Sequence, residues 1–176
     1  MGEEGKHHAD YTNFNTTDRK EALQLLVDSY EALALDQRNW VCNLSNASSL
    51  LWHAYKSINV NVNWTGFYIT VPEKEEMLLG PFQGKVACQT IEFGKGVCGA
   101  SASTQETQVV GDVDKFPGHI ACDGETKSEI VVPIVTKDRK TLGVIDLDCL
   151  DYNGFSDIDK QYLEKLAALI VETCDF

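Results

Sequence analysis

The sequence lacks any long apolar run. Nowhere in its 176 residues is there a stretch close to the roughly 18 consecutive apolar residues that a membrane-spanning helix requires. The opening stretch MGEEGKHHADYTNFN is polar and has none of the apolar segment that is typical of a secretory signal peptide. A chain of this size can bury a sizeable core without disulfides. We therefore expect a cytoplasmic protein, whose cysteines are thiols unless chemistry uses them.

Basic residues are scarce as well. The chain has 15 Lys and Arg against 27 Asp and Glu, which gives a formal net charge of -12 at pH 7. Nucleic acids and anionic membrane surfaces are bound mainly through Lys and Arg, so the charge argues against both as partners. A cationic or zwitterionic small ligand remains compatible with it.

Metal-binding and protease motifs are missing too. Six cysteines are present, but no Cys-x-x-Cys pair, and His119 near Cys122 is a weak signal for a metal ligand. A cysteine and a histidine in one loop do not by themselves place a general base and its orienting partner. We therefore predict no bound cofactor or metal.

Periodic patterns indicate an α+β fold. Helical periods predict amphipathic helices over 18–35 and 40–55 and a closing helix capped at Ser156. Alternating patterns predict strands at 62–71, 76–82, 84–91, 107–111, 128–135 and 141–149. Helices at both ends of a run of strands favour an antiparallel central sheet with the helices packed on one face. The long segment 92–127 would then cover the other face and form a loop-rich pocket.

Two finer expectations follow from the same patterns. In the first strand, Val62, Trp64 and Tyr68 are predicted to share one face. Residues 1–16 are predicted to be a flexible polar tail, and residues 17–176 a single domain.

The cysteines divide into two groups. Cys42, Cys149 and Cys174 fall on predicted helices or on the apolar face of the last strand, where we expect core packing.

The other three cysteines, Cys88, Cys98 and Cys122, lie in or beside the irregular segment. Cys98 follows two glycines in FGKGVCG, a pattern suited to a helix N-terminus. Either the helix dipole lowers its pKa there and makes it reactive, or the residue only packs in the turn. Cys122 stands in ACDG, outside the apolar run of the strand that follows it, whereas a structural cysteine usually lies inside such a run.

Two carboxylates share one face of the last predicted strand. In TLGVIDLDCL, Asp146 and Asp148 are two residues apart and so project from the same side. Aspartate is disfavoured in strands, and two on one face repel each other. Either a cationic group lies over them or that face is solvated.

Five motifs together resemble one family. They are NWTGFY (63–68), GPFQGKVACQ (80–89), FGKGVCG (93–99), PGHIACDGETKSEIVVPI (117–134) and LGVIDLDC (142–149). This signature is similar to that of the free methionine-(R)-sulfoxide reductases, which are single GAF domains. The resemblance implies a GAF-like fold, commonly a homodimer, that reduces free L-methionine-(R)-sulfoxide through a cysteine sulfenic acid and an intramolecular disulfide. It also implies thioredoxin as the reductant.

The same resemblance implies roles for individual residues. Cys122 matches the attacking thiol, and Cys88 and Cys98 match the other redox cysteines; the division of work between Cys98 and Cys122 stays open. The matches to the substrate-binding residues are Trp64, Tyr68, Glu129, Asp146 and Asp148. We expect Asp148 to pair with the substrate ammonium and Glu129 to donate the proton, because crowded carboxylates raise one another's pKa.

Two other functions remain alternatives from the sequence. A GAF domain can be a small-ligand sensor without chemistry, and a protein with exposed thiols can be a redox switch. A sensor is usually fused to an output domain, for which we expect no room in this chain.

Overall fold

The computed structural model describes residues 7–176. Its longer helices are α1 (Arg19–Leu33), α2 (Trp40–Ser57), α3 (Gly96–Thr104) and α4 (Asp157–Thr173). Its strands are β1 (Val62–Thr70), β2 (Glu76–Gly84), β3 (Thr90–Glu92), β4 (Gln108–Val110), β5 (Ser128–Val135) and β6 (Thr141–Cys149). Short 3-10 turns cover His8–Thr12 and Val113–Lys115. The predicted helices and five of the six predicted strands are therefore confirmed.

Side-chain caps explain where the long helices begin. Asp18 accepts from the backbone N–H of Glu21 at the start of α1, and Asn39 accepts from that of Cys42 at the start of α2. Ser156 and Asp159 form a capping box at the start of α4. Each cap satisfies backbone donors that the first helical turn leaves without an internal partner.

The strands form one antiparallel sheet in the order β3-β2-β1-β6-β5-β4. On one face, α1, α2 and α4 pack over the larger apolar core. On the other, α3 and the neighbouring loops cover a smaller core that includes Trp64, Tyr68 and Cys98. The predicted α+β architecture, with helices on one face and a loop-rich region on the other, is confirmed.

A buried carboxylate joins the three helices behind the sheet. Asp159 is fully buried and accepts hydrogen bonds from Arg19, Tyr55 and Ser156. Its charge is thus both paired and hydrogen-bonded, as burial of a charge requires.

The predicted strand at 84–91 is largely wrong. Only its end forms β3, while residues 85–89 leave the sheet as an irregular segment. Gly84 has a φ of 123°, which side-chain-bearing residues rarely adopt, and there the chain turns away from β1. The segment that carries Cys88 is consequently a loop beside the sheet.

Two smaller predictions also fail. Val62 packs with the helix-side core rather than beside Trp64 and Tyr68, because the register of β1 against β6 shifts between Val62 and Trp64. Cys42 is exposed on α2 instead of buried, whereas Cys149 and Cys174 are buried as expected.

Of the predicted tail, residues 1–6 lie outside the described part of the chain. Within the rest, Tyr11 and Phe14 pack against the larger core. The division into a tail at 1–16 and a domain at 17–176 stays a prediction.

Candidate active site

A pocket lies on the sheet face opposite the long helices, between that face, the start of α3 and the loops around residues 85–87 and 119–126. Seven of the eight predicted site residues line it: Trp64, Tyr68, Cys98, Cys122, Glu129, Asp146 and Asp148. Cys88, the eighth, is bonded to Cys122 through its sulfur. The fold thus gathers into one place residues that are far apart in the sequence.

Three carboxyl groups line the sheet side of the pocket. Glu129 on β5 is the register partner of Asp148 on β6, and Asp146 lies two residues along the same face of β6. Glu129 is 6% exposed and Asp146 is 5% exposed, while Asp148 is half-buried. Backbone pairing therefore forces three acids into a small and poorly solvated space.

Crowding and burial change how these acids titrate. Loss of hydration raises the pKa of Glu129 well above its usual value, and the negative charges of Asp146 and Asp148 raise it further. Burial, and then the charge of Asp146, likewise raise the pKa of Asp148. The pKa of Asp146 is also raised by burial, but hydrogen bonds to Glu129 and Cys98 oppose that shift. The cluster therefore resists ionising all three acids together: it favours Asp146 as an ionised member and keeps at least one proton on the group.

Cys98 lies beneath this cluster. It is the third residue of α3, is 5% exposed, and its Sγ is 4.0 Å from Oε2 of Glu129. Burial and then the charges of Asp146 and Glu129 raise its thiol pKa well above the ordinary value. The expectation that the helix dipole would lower this pKa is wrong, since loss of hydration and the nearby negative charges outweigh the dipole.

Cys88 and Cys122 form a disulfide at the edge of the pocket, with Cα atoms 5.7 Å apart. That separation is ordinary for a disulfide. Cys122 is exposed and Cys88 is half-buried, so the bond is open to an external thiol mainly from the Cys122 side.

An aromatic wall closes another side. Trp64 stacks on Tyr68 with ring centroids 5.8 Å apart, and on Phe82 at 5.2 Å. Phe82 lies within a quoted motif but was not predicted as part of this wall. Phe82 on β2 is the register partner of Gly66 on β1. Its place in the aromatic wall could therefore be inferred only once the pairing of β1 with β2 was known.

His119 is a second residue that the sequence reasoning did not assign to the site. Its Nε2 lies 4.0 Å from Oε1 of Glu129, and its side chain is 15% exposed. The ring thus approaches the acid cluster from the loop that also carries Cys122. Its position near Cys122 in the sequence gives only a weak signal for a metal ligand.

The same cluster has donor atoms that could hold a cation. One ligand atom each of Cys98, Glu129 and Asp146 lie within 4.8 Å of one another, and all three residues are buried. A thiol with two carboxyls could suit a metal ion, but equally a substrate ammonium group. The absence of a bound metal stays a prediction.

Fold and site together define a class of protein. Residues 45–173 match the family model described as the GAF domain. The chain is thus a GAF domain whose pocket combines cysteines, buried acids and aromatic rings. Among residues 7–176, no helix has the length and apolarity needed to cross a membrane.

Comparison with known proteins narrows the class. The free methionine-R-sulfoxide reductase of Saccharomyces cerevisiae is 65% identical over 174 residues, covering 98% of this chain and 97% of the yeast protein. The free methionine-R-sulfoxide reductase of Escherichia coli is 40% identical over 139 residues, covering 79% of this chain and 80% of the E. coli protein. A solved structure of the Neisseria meningitidis free methionine-R-sulfoxide reductase in complex with its substrate is 37% identical, with a TM-score of 0.85 and coverage of 91% and 92%. The chain belongs to the free methionine-R-sulfoxide reductases, a family of oxidoreductases.

Proposed function

We propose that this chain reduces free L-methionine-(R)-sulfoxide to L-methionine in the pocket described above. The observation that carries the proposal is the Cys88–Cys122 disulfide beside a pocket lined by three crowded carboxyl groups. A disulfide is the product expected after a thiol has reduced a sulfoxide, and the acids provide both charge and protons for a zwitterionic substrate. Membership of the reductase family supports the same reaction.

Substrate binding uses the acids and the aromatic wall. Oδ1 of Asp146 is buried and accepts no hydrogen bond from any residue in 7–176. A buried acceptor of this kind is costly unless a ligand satisfies it, and the substrate ammonium would do so. Half-buried Asp148 provides the second negative charge, and Trp64 and Tyr68 enclose the apolar S-methyl end. Ammonium binding is thus shared between the two aspartates rather than left to Asp148 alone.

The first step transfers oxygen. The Cys122 thiolate attacks the sulfoxide sulfur, and Glu129, held protonated by its raised pKa, gives its proton to the sulfoxide oxygen. Oxygen passes from the substrate sulfur to the Cys122 sulfur, and the S–O bond of the substrate breaks. The substrate sulfur gains two electrons and leaves as methionine, while Cys122 becomes a sulfenic acid.

The second step closes the disulfide. The Cys88 thiolate attacks the sulfenic sulfur of Cys122, the S–S bond forms, and the hydroxyl group leaves as water after taking a proton. The Cα separation of 5.7 Å supports this pairing. Cys98 contributes a protonated thiol to the pocket, because its raised pKa disfavours the nucleophilic thiolate.

Recycling then needs two electrons from outside. A thioredoxin dithiol would attack the exposed Cys122 sulfur, release Cys88 as a thiol and leave with its own disulfide. We extend the proposal to a homodimer, as the family resemblance predicts, and to the cytoplasm, where free thiols stay reduced.

The deciding experiment is a thioredoxin-coupled assay that follows NADPH oxidation with free methionine-(R)-sulfoxide. We expect continuous, catalytic consumption of NADPH. A ligand sensor or a thiol redox switch would consume at most one equivalent, for reduction of the Cys88–Cys122 disulfide, and then stop. That result would contradict the proposed function.

A further inference from the structure

Strand β1 contacts both segments that carry the disulfide cysteines: residues 85–89 around Cys88 and residues 122–126 around Cys122. Three of its side chains, Asn63, Trp64 and Tyr68, hydrogen-bond to one segment or the other. Trp64 and Tyr68 belong to the aromatic wall, whereas Asn63 lies outside it. Their polar groups suggest a separate task.

The Cys88 segment is held by its backbone carbonyls. The indole Nε1–H of Trp64 donates to the carbonyl oxygen of Lys85 at 3.2 Å. The hydroxyl of Tyr68 donates to the carbonyl oxygen of Cys88 itself at 2.9 Å. Residues 85–89 lie outside the sheet, so these two bonds attach to β1 a segment that has left the strand ladder.

The Cys122 turn is held from the same strand. The side-chain amide of Asn63 donates to Oδ2 of Asp123 at 3.1 Å and to Oγ1 of Thr126 at 2.9 Å. The other oxygen of Asp123 accepts from the backbone N–H of Glu125, which closes a tight turn directly after Cys122. The pKa of the Asp123 carboxyl is lowered most by the hydrogen bond from Glu125; burial opposes that shift, and the bond from Asn63 adds to it.

We infer that Asn63, Trp64 and Tyr68 are positioning residues that hold Cys88 and Cys122 at disulfide distance. Two thiols in separate loops form a disulfide slowly and weakly unless their relative positions are restricted beforehand. A single rigid strand that contacts both loops provides that restriction. The inference deepens the proposed function, on which it rests for the use of this disulfide in turnover.

The test is the equilibrium of the Cys88–Cys122 pair with a glutathione redox buffer, measured on the full chain without any sulfoxide. Because no sulfoxide is present, a failure of the proposed reductase activity would leave this measurement unaffected. Trypsin separates the three relevant cysteines into peptides 86–95, 96–115 and 116–127. The oxidised fraction can therefore be assigned to its pair by mass spectrometry.

Tyr68→Phe keeps the ring and removes the donor to Cys88. We expect the equilibrium constant for disulfide formation to fall about fivefold to tenfold, as for loss of one partly buried hydrogen bond. Thr65→Val is the matched control, because the buried Thr65 hydroxyl donates to the carbonyl of Ser48 on α2, on the helix side of the sheet. That variant should lower the melting temperature yet leave the equilibrium within about twofold of the native value.

Asn63→Asp places two carboxylates against each other and should lower the equilibrium constant at least as much. Adding Asp123→Asn restores a donor and an acceptor in reversed order, and should return the constant to within about threefold of native. If Asn63→Asp does not fold, Tyr68→Phe with its control decides the question. Native-like equilibrium in Tyr68→Phe, or an equal loss in Thr65→Val, would overturn the inference.

Discussion

Glu129 on β5 stands directly across from Asp148 on β6 in the antiparallel register. Like charges placed opposite each other in a sheet are destabilising. The arrangement is therefore better suited to function than to stability. Burial, and then the charge of Asp146, raise the pKa of both groups. Across the pair, the charge of Asp148 raises the pKa of Glu129, whereas a hydrogen bond with Glu129 lowers that of Asp148. The raised pKa values should therefore affect both the free energy of unfolding and the rate of the reaction.

Glu129→Gln should stabilise the fold at neutral and alkaline pH. A folded-state pKa above the unfolded value means that the folded state binds the proton more tightly, so native stability falls as pH rises from about 4 through the raised pKa. The variant lacks that loss and should exceed the native protein by on the order of 1 kcal/mol at pH 8. Urea unfolding at pH 4 and pH 8 measures the difference in unfolding free energy between the variant and the native protein. A gain that is equal at both pH values would show that Glu129 does not titrate in this way.

The acids should differ in kinetic effect. Asp146→Asn and Asp148→Asn remove charges that face the ammonium and should raise KM about tenfold or more. Glu129→Gln removes the proton donor and should lower kcat about 100-fold, within the usual range for general acids. Steady-state kinetics between pH 5 and 9 separate the two effects. Near-native values of kcat and KM for all three variants would show that the acids form only a solvated sheet face and take no part in the reaction.

Turnover of the native enzyme should fall at alkaline pH. The proposed acid must carry its proton, and the raised pKa of Glu129 keeps that proton bound into the neutral range. Above the raised pKa, kcat should decline tenfold per pH unit. In Glu129→Gln this alkaline decline should be lost. Its persistence would assign the titration to another group.

The cysteines should separate by step. Cys122→Ser should abolish methionine release. Cys88→Ser should still release one equivalent and then stop, because no disulfide can form. Cys98→Ser should retain that first release, since its thiol is buried and protonated.

Rapid-quench measurement of methionine in a single turnover separates these cases, with Cys42→Ser on the exposed side of α2 as the control. Methionine release that survives in Cys122→Ser and vanishes in Cys98→Ser would identify Cys98 as the nucleophile.

Free substrate should be preferred over sulfoxide in a peptide. The peptide has lost the ammonium and carboxylate groups, so the buried Oδ1 of Asp146 would stay without a partner. Unpaired buried polar groups can produce discrimination of about 10⁴-fold. Comparing kcat/KM for free methionine-(R)-sulfoxide and for a blocked peptide tests this preference. The S epimer of the free amino acid is a second compound that should not be reduced. Comparable rates would contradict the proposed binding mode.

The sequence by itself determined the helices, all but one of the strands and the reactive side chains of the protein. Caps at Asp18 and Ser156 and a clear helical period were enough for the helices, because those signals are local. The alternation in β6 placed Asp146 and Asp148 on one face without reference to any neighbour. The five motifs also indicated the reductase family, and with it the residues to look for.

Only the tertiary structure decided how those residues act. The pairing of β5 with β6 brings Glu129 against Asp148, which no local pattern could show. Burial under that cluster raises the pKa of Cys98, although its place in α3 alone predicted the reverse. The partner of Cys122 likewise depended on where residues 85–89 leave the sheet. Local signals depend on neighbours in sequence, whereas desolvation, charge crowding and thiol pairing depend on neighbours in space.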